Sequence, residues 1–65
     1  MLYVVLSNGT IEELPDAMQT VAQDGVLVCH DAKGQEVRVY NRFAVLMFGH
    51  DERIKDFAIT RALEH

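Results

Sequence analysis

Two tight turns in residues 20–40 constrain the fold more strongly than any other feature of the sequence. Asp24-Gly25 is typical of a two-residue hairpin loop, in which both residues adopt positive φ. Residues 31–34 end in Gly34, which suits the left-handed position of a second turn. The flanking residues are β-branched or alternate between apolar and polar, which is the period of a strand. The segment therefore predicts three consecutive strands joined by two turns.

Further strands are expected on both sides of this segment. Residues 2–7 alternate between two faces, Asn8-Gly9 is a hairpin signal, and residues 10–14 return antiparallel until Pro15 ends the strand. Residues 16–23 fit two interpretations: a helix with Gly25 at its C-terminal cap, or a strand. We favour the strand, because the Asp24-Gly25 turn requires a strand on each side. The apolar run 44–48 predicts the closing strand, after a short connector at 41–43.

The last part of the chain changes from strand period to helix period. Asp51 is placed to cap a helix over residues 51–62 and to pair with Lys55, four residues later. Apolar residues at helical spacing form one stripe: Ile54, Phe57, Ala58 and Ala62. Residues 63–65 read Leu-Glu-His, which is typical of the start of a vector-encoded tag, so we do not count His65 as a ligand.

These elements predict one mainly β domain over residues 1–62: a small SH3-like barrel or a curled antiparallel meander of five to six strands, with a short C-terminal helix. The pattern resembles the general architecture of SH3-like small barrels, in which a single 3₁₀ turn often precedes the last strand. The connector at 41–43 would fill that place. The resemblance is one of architecture, since no family motif covers any part of the chain.

Apolar residues occupy both faces of several strands, and a single interior accommodates only one set. We expect Leu2, Val4 and Leu6 to face inward and to leave Tyr3 and Val5 outside. On the later strands we expect Val28, Val37 and Val39 inward, with Glu36, Arg38 and Tyr40 outward. Val28→Ala or Val39→Ala would then cost about 1–3 kcal/mol. Because the helix is short, the outer set predicts a homodimer or small oligomer.

Length, charge and cysteine content narrow the class of protein. The 65 residues contain one cysteine, so no disulfide forms within the chain, and the net charge of −4 argues against a dedicated DNA-binding protein. All six basic residues lie from Lys33 onward, which is a weak indication of an electropositive face. We find no signal peptide and no membrane-spanning run, and a single reduced cysteine agrees with a cytoplasmic location.

Few residues are placed for chemistry. Cys29 and His30 are adjacent on a strand and point to opposite faces, so they cannot share one metal ion; His30 and His50 are only weak candidates for metal ligands. The carboxylates of Glu12, Glu13 and Asp16 lie near a hairpin turn, where solvation argues against acid–base catalysis. We therefore expect neither enzyme activity nor a cofactor.

The remaining candidates are three basic residues and an aromatic one. Arg38 and Tyr40 share a strand face, Arg42 follows, and Lys33 lies in the preceding turn. Cations beside an aromatic ring are used by some small barrels to bind single-stranded nucleic acid. The sequence favours a non-catalytic protein-interaction or structural module that associates with itself and with an unidentified protein. The alternative is an oligonucleotide-binding regulatory domain that uses this basic and aromatic patch.

Overall fold

The computed structural model describes residues 1–56, which are mainly β. Six strands form two antiparallel three-stranded sheets, in the orders β2-β1-β6 and β3-β4-β5. Within residues 1–56 the sheets do not close into a barrel, so the curled meander of the sequence prediction is the form that fits. The strand bounds are β1 Leu2–Leu6, β2 Ile11–Leu14, β3 Gln19–Gln23, β4 Val26–His30, β5 Glu36–Asn41 and β6 Val45–Gly49, with a 3₁₀ turn at Arg42–Ala44.

The predicted turns are confirmed by the backbone angles. Asp24 and Gly25 have φ values of 52° and 79°, as a two-residue hairpin loop requires, and Gly34 has φ of 82°. Because the Asp24-Gly25 loop joins two strands in register, the segment before it is the strand β3 rather than a helix, although the strand begins at Gln19 and not at residue 16. Asn41 accepts a hydrogen bond from the Phe43 N–H and so caps the predicted 3₁₀ turn.

One core lies between the two sheets. It is formed by side chains from β1, β4, β5 and β6 together with Ala17 from the β2–β3 connection. Leu2 and Val4 face this core as predicted, and Leu27 and Cys29 face it from the other sheet. Its buried members are Leu2, Val4, Ala17, Leu27, Cys29, Tyr40 and Val45.

A second apolar layer covers the opposite face of the sheet β2-β1-β6. Tyr3 and Val5 of β1 are buried there against Ile54, which corrects the expectation that they lie outside the core. Ile11 and Met47 flank Val5 on the neighbouring strands and complete the layer. The C-terminal helix thus covers Tyr3 and Val5 through Ile54.

Residues 53–56 are helical, and Asp51 caps this helix by accepting the Arg53 N–H at 2.9 Å. Asp51 pairs with Arg53 rather than with Lys55, because Lys55 reaches across to Glu13 of β2 at 3.1 Å. The remainder of the predicted helix (57–62, with Phe57, Ala58 and Ala62) and the predicted tag remnant (63–65, with His65) lie outside the described residues.

On β4 and β5 the valines and Tyr40 lie on the faces opposite to those predicted, whereas Glu36 and Arg38 are exposed as predicted. Val37 and Val39 are exposed and Val28 is only partly buried, whereas Tyr40 is 8% exposed. The register pairs Leu27 with Tyr40, and these larger side chains bury more apolar area than the valines would. The Tyr40 hydroxyl also finds an acceptor in Glu12, so the buried ring carries no unpaired polar group.

Candidate interaction surface

The outer face of the sheet β3-β4-β5 carries a row of valines. Val21 of β3 lies opposite Val28 of β4, and Val28 lies opposite Val39 of β5, so the three side chains cross the sheet side by side. Val21 is 43% exposed and Val39 45% exposed. We call this row, together with the neighbouring Val26 and Val37, the valine face. Nothing in residues 1–56 packs over it as Ile54 packs over Val5.

The face opposite the valines ends in a polar cluster that joins the two sheets. The Tyr40 hydroxyl donates to Glu12 at 2.6 Å, and the Arg38 guanidinium lies 3.4 Å from the same carboxylate. Burial of Tyr40, followed by the hydrogen bond to Glu12, raises the pKa of the phenol well above its ordinary value of 10.0. The phenol therefore stays protonated and serves as a hydrogen-bond donor between β5 and β2.

This cluster leaves little for a nucleotide base to contact. Tyr40 is buried, and the Arg38 guanidinium lies over its ring at 5.6 Å from the centroid. Base stacking needs an accessible aromatic face, and the Glu12 carboxylate adds negative charge where a phosphate would approach. The arrangement is that of a link between the two sheets.

The other predicted basic residues lie apart from this cluster. Arg42 lies against β6, where it donates to the Val45 carbonyl at 3.4 Å and lies 5.9 Å from the centroid of the Phe48 ring. Lys33 is exposed in the β4–β5 turn, and its backbone N–H donates to Asp31 Oδ1. The structure thus joins Arg38 with Tyr40, and it places Arg42 against β6 and Lys33 in the β4–β5 turn.

The candidate metal ligands do not converge. Cys29 is buried in the shared core, and burial raises the pKa of its thiol, which makes it a poor nucleophile. His30 is the last residue of β4, whereas the His50 Nδ1 lies 3.2 Å from the Met1 carbonyl oxygen. Among the described residues no three potential ligands come together.

A shallow groove of about 400 Å³ runs between the β2–β3 connection and the β4–β5 turn. Asp16, Met18 and Lys33 are among its lining residues. Asp31, which also lines it, uses Oδ1 to hold the backbone N–H groups of Lys33 and Gln35 at 2.9 Å each, so this carboxylate serves to shape the turn.

The alternation of residues predicted Val28, Val37 and Val39 in the core and so missed them as surface residues. One signal could have corrected it: Leu27, Cys29 and Tyr40 form the bulkier set, and the two turns place them on one face. The Tyr40 hydroxyl also requires a partner when buried, and a carboxylate such as Glu12 supplies one. When a strand is apolar on both sides, the alternation of residues along it does not show which face is buried.

Comparisons with protein-family models, with curated proteins and with solved structures give no match. Within residues 1–56, no helix is long and apolar enough to cross a membrane.

Proposed function

We propose that this chain is a non-catalytic protein-interaction module and that the valine face is the surface through which it binds. The observation that carries the proposal is the row Val21, Val28 and Val39, which crosses a whole sheet and which nothing in residues 1–56 covers. Single exposed apolar residues are common on soluble proteins, whereas contiguous apolar patches usually mark interaction sites.

The proposal depends on a contrast between the outer faces of the two sheets. On the other sheet, the corresponding outer row of Ile11, Val5 and Met47 is packed under Ile54. Because the described residues cover one such row and not the other, apolar surface is left for a partner. We include self-association among the partners and place the module in the cytoplasm, where its single cysteine stays reduced.

The oligonucleotide-binding alternative has weaker support from the geometry. Tyr40 is buried, and Arg38 is already paired with Glu12, while Arg42 lies against β6. Fluorescence anisotropy with a labelled single strand tests this alternative. Binding that weakens steeply with added salt would favour it over the interaction module.

Site-specific photo-crosslinking in the cell tests the proposed surface directly. A photoreactive phenylalanine analogue replaces Val39 in one variant and Phe43 in a matched control. Phe43 is 87% exposed but belongs to the 3₁₀ turn and not to the valine row, so the control probe is at least as accessible. We expect protein adducts from position 39 and none from position 43. Adducts from position 43 alone, or from neither position, would show that the valine face is not the binding surface.

A further inference from the structure

The edges of the two sheets differ in how they are protected against pairing with another strand. An edge strand presents unpaired N–H and C=O groups, and charged side chains are a common protection. The edge strand β2 carries Glu12 and Glu13, and β5 carries Glu36 and Arg38. The edge strand β6 has no charge of its own, but the Arg42 guanidinium donates to its Val45 carbonyl.

The fourth edge, β3, has none of these features. Its sequence, Gln-Thr-Val-Ala-Gln over Gln19–Gln23, contains no charge and no proline, and its register with β4 runs without a bulge. Its residues are exposed apart from Thr20, which is partly buried. Within the described part of the chain, β3 pairs with β4 alone. Among the strands of residues 1–56, β3 is the edge without such protection.

The hairpin geometry fixes which backbone groups are free to pair. In a two-residue hairpin the residues flanking the loop form a hydrogen-bonded pair, so Gln23 bonds Val26 and, by alternation, Val21 bonds Val28. The N–H and C=O groups of Thr20 and Ala22 therefore point away from β4, toward the open edge. The bond from the Arg42 N–H to the Gly25 carbonyl agrees with this alternation, because it places the odd-numbered groups of β4 toward β5.

From this we infer that β3 pairs antiparallel with β3 of a second copy, about a two-fold axis through Val21. This inference rests on the proposed function and concerns its self-association, in which a second copy extends the valine face. In that register Thr20 faces Ala22 of the other copy, and the two exchange both hydrogen bonds, which gives four across the interface. Val21 then faces its own counterpart at the closely spaced position where side chains touch. The strand is self-complementary in size and charge, since Gln19 meets Gln23 and small residues meet small ones.

This register also favours a second copy as the partner, because it brings two identical valine rows together. The two valine rows join end to end through Val21, so six valines run across one six-stranded sheet. No charges oppose each other, because β3 has none. Strand pairing buries less than the roughly 1,600 Å² of a standard interface, so we expect a micromolar dissociation constant.

Sedimentation velocity over a concentration series, from low to high micromolar, tests the pairing. We expect the wild-type chain to shift from monomer to dimer. Ala22→Pro removes an N–H that makes no bond within the hairpin, so the fold is retained, and the loss of two of the four intermolecular bonds weakens the dimer about tenfold or more. Val21→Lys places like charges opposite each other and abolishes the dimer. Mixing Val21→Lys chains with Val21→Glu chains restores it.

Leu46→Lys is the matched control, because Leu46 is 49% exposed, close to the 43% of Val21, but lies on β6 of the other sheet. We expect its dissociation constant to equal that of the wild-type chain. Loss of the dimer in Val39→Lys with retention in Ala22→Pro would mean that two copies stack face to face; the inference then fails and the proposed function stands. A wild-type chain that stays monomeric also overturns the inference, while the crosslinking at position 39 continues to test the proposed function separately.

Discussion

The central strands β1 and β4 have similar sequences and different surroundings. Leu-Tyr-Val-Val-Leu in β1 and Val-Leu-Val-Cys-His in β4 are both apolar on both faces, and each lies between two neighbours. One face of each strand packs into the shared core. The second face of β1 is covered by Ile54, whereas the second face of β4 is only partly buried by residues 1–56. A strand that is apolar on both faces therefore predicts that a second element packs against it. Which element does so depends on other parts of the sequence.

The largest loss of stability is expected from substitutions in the shared core, which both strands face. Leu2 and Leu27 are both fully buried in the shared core, so Leu2→Ala and Leu27→Ala should each lower the free energy of unfolding by about 2–5 kcal/mol. Chemical denaturation followed by circular dichroism measures this. A small loss for Leu27→Ala alone would mean that β4 packs more loosely than β1.

Substitutions on the outer faces of the two sheets should differ by a smaller amount in their cost to stability. Val5→Ala opens a cavity under Ile54 and should cost about 1–3 kcal/mol. Val39→Ala removes exposed methyl groups and should change the free energy of unfolding of the monomer by less than about 0.5 kcal/mol. This replaces the 1–3 kcal/mol that the sequence alone predicted for Val39. If the two variants lost equal free energy of unfolding in dilute samples, the two outer faces would be equally buried, which would contradict this comparison.

Tyr40→Phe should have a moderate effect that depends on pH. At neutral pH the variant loses one partly buried hydrogen bond to Glu12, which contributes about 1 kcal/mol. The folded state raises the pKa of Tyr40, so its contribution is complete below pH 10, the ordinary value for the phenol, and falls as the pH rises above it. Thermal melts across the alkaline range should therefore decline more steeply for the wild-type chain than for Tyr40→Phe. Parallel curves would mean that the hydroxyl is not bonded in the fold.

The smallest effect concerns the ion pair beside the covered face. Lys55 pairs with Glu13 at the surface, and such pairs are screened by salt and contribute little. Glu13→Gln should leave the melting temperature nearly unchanged, whereas Ile54→Ala should lower it clearly. If Glu13→Gln had the larger effect, the cover over β1 would depend on charge rather than on apolar packing.

Local sequence predicts much of the fold, but it does not predict which face of each strand is buried. The Asp24-Gly25 and 31–34 turns, the ends of the strands and the cap at Asp51 depend on the φ preferences and hydrogen bonds of a few neighbouring residues. The orientation of Val28 and Val39 depends on Tyr40 meeting Glu12, which is 28 positions away in sequence. The cover over Tyr3 and Val5 likewise depends on Ile54, so neither could be derived from one strand alone.

Backbone hydrogen exchange of β3 tests the open edge most directly. The Thr20 and Ala22 amides point away from β4 and should exchange rapidly in dilute solution, while the Val21 and Gln23 amides, bonded to β4, exchange slowly. At high concentration the Thr20 and Ala22 amides should become protected, with Val21 and Gln23 little changed. Protection of Thr20 and Ala22 at every concentration would show that another part of the same chain covers the edge, and would contradict the account of β3 as an open pairing strand.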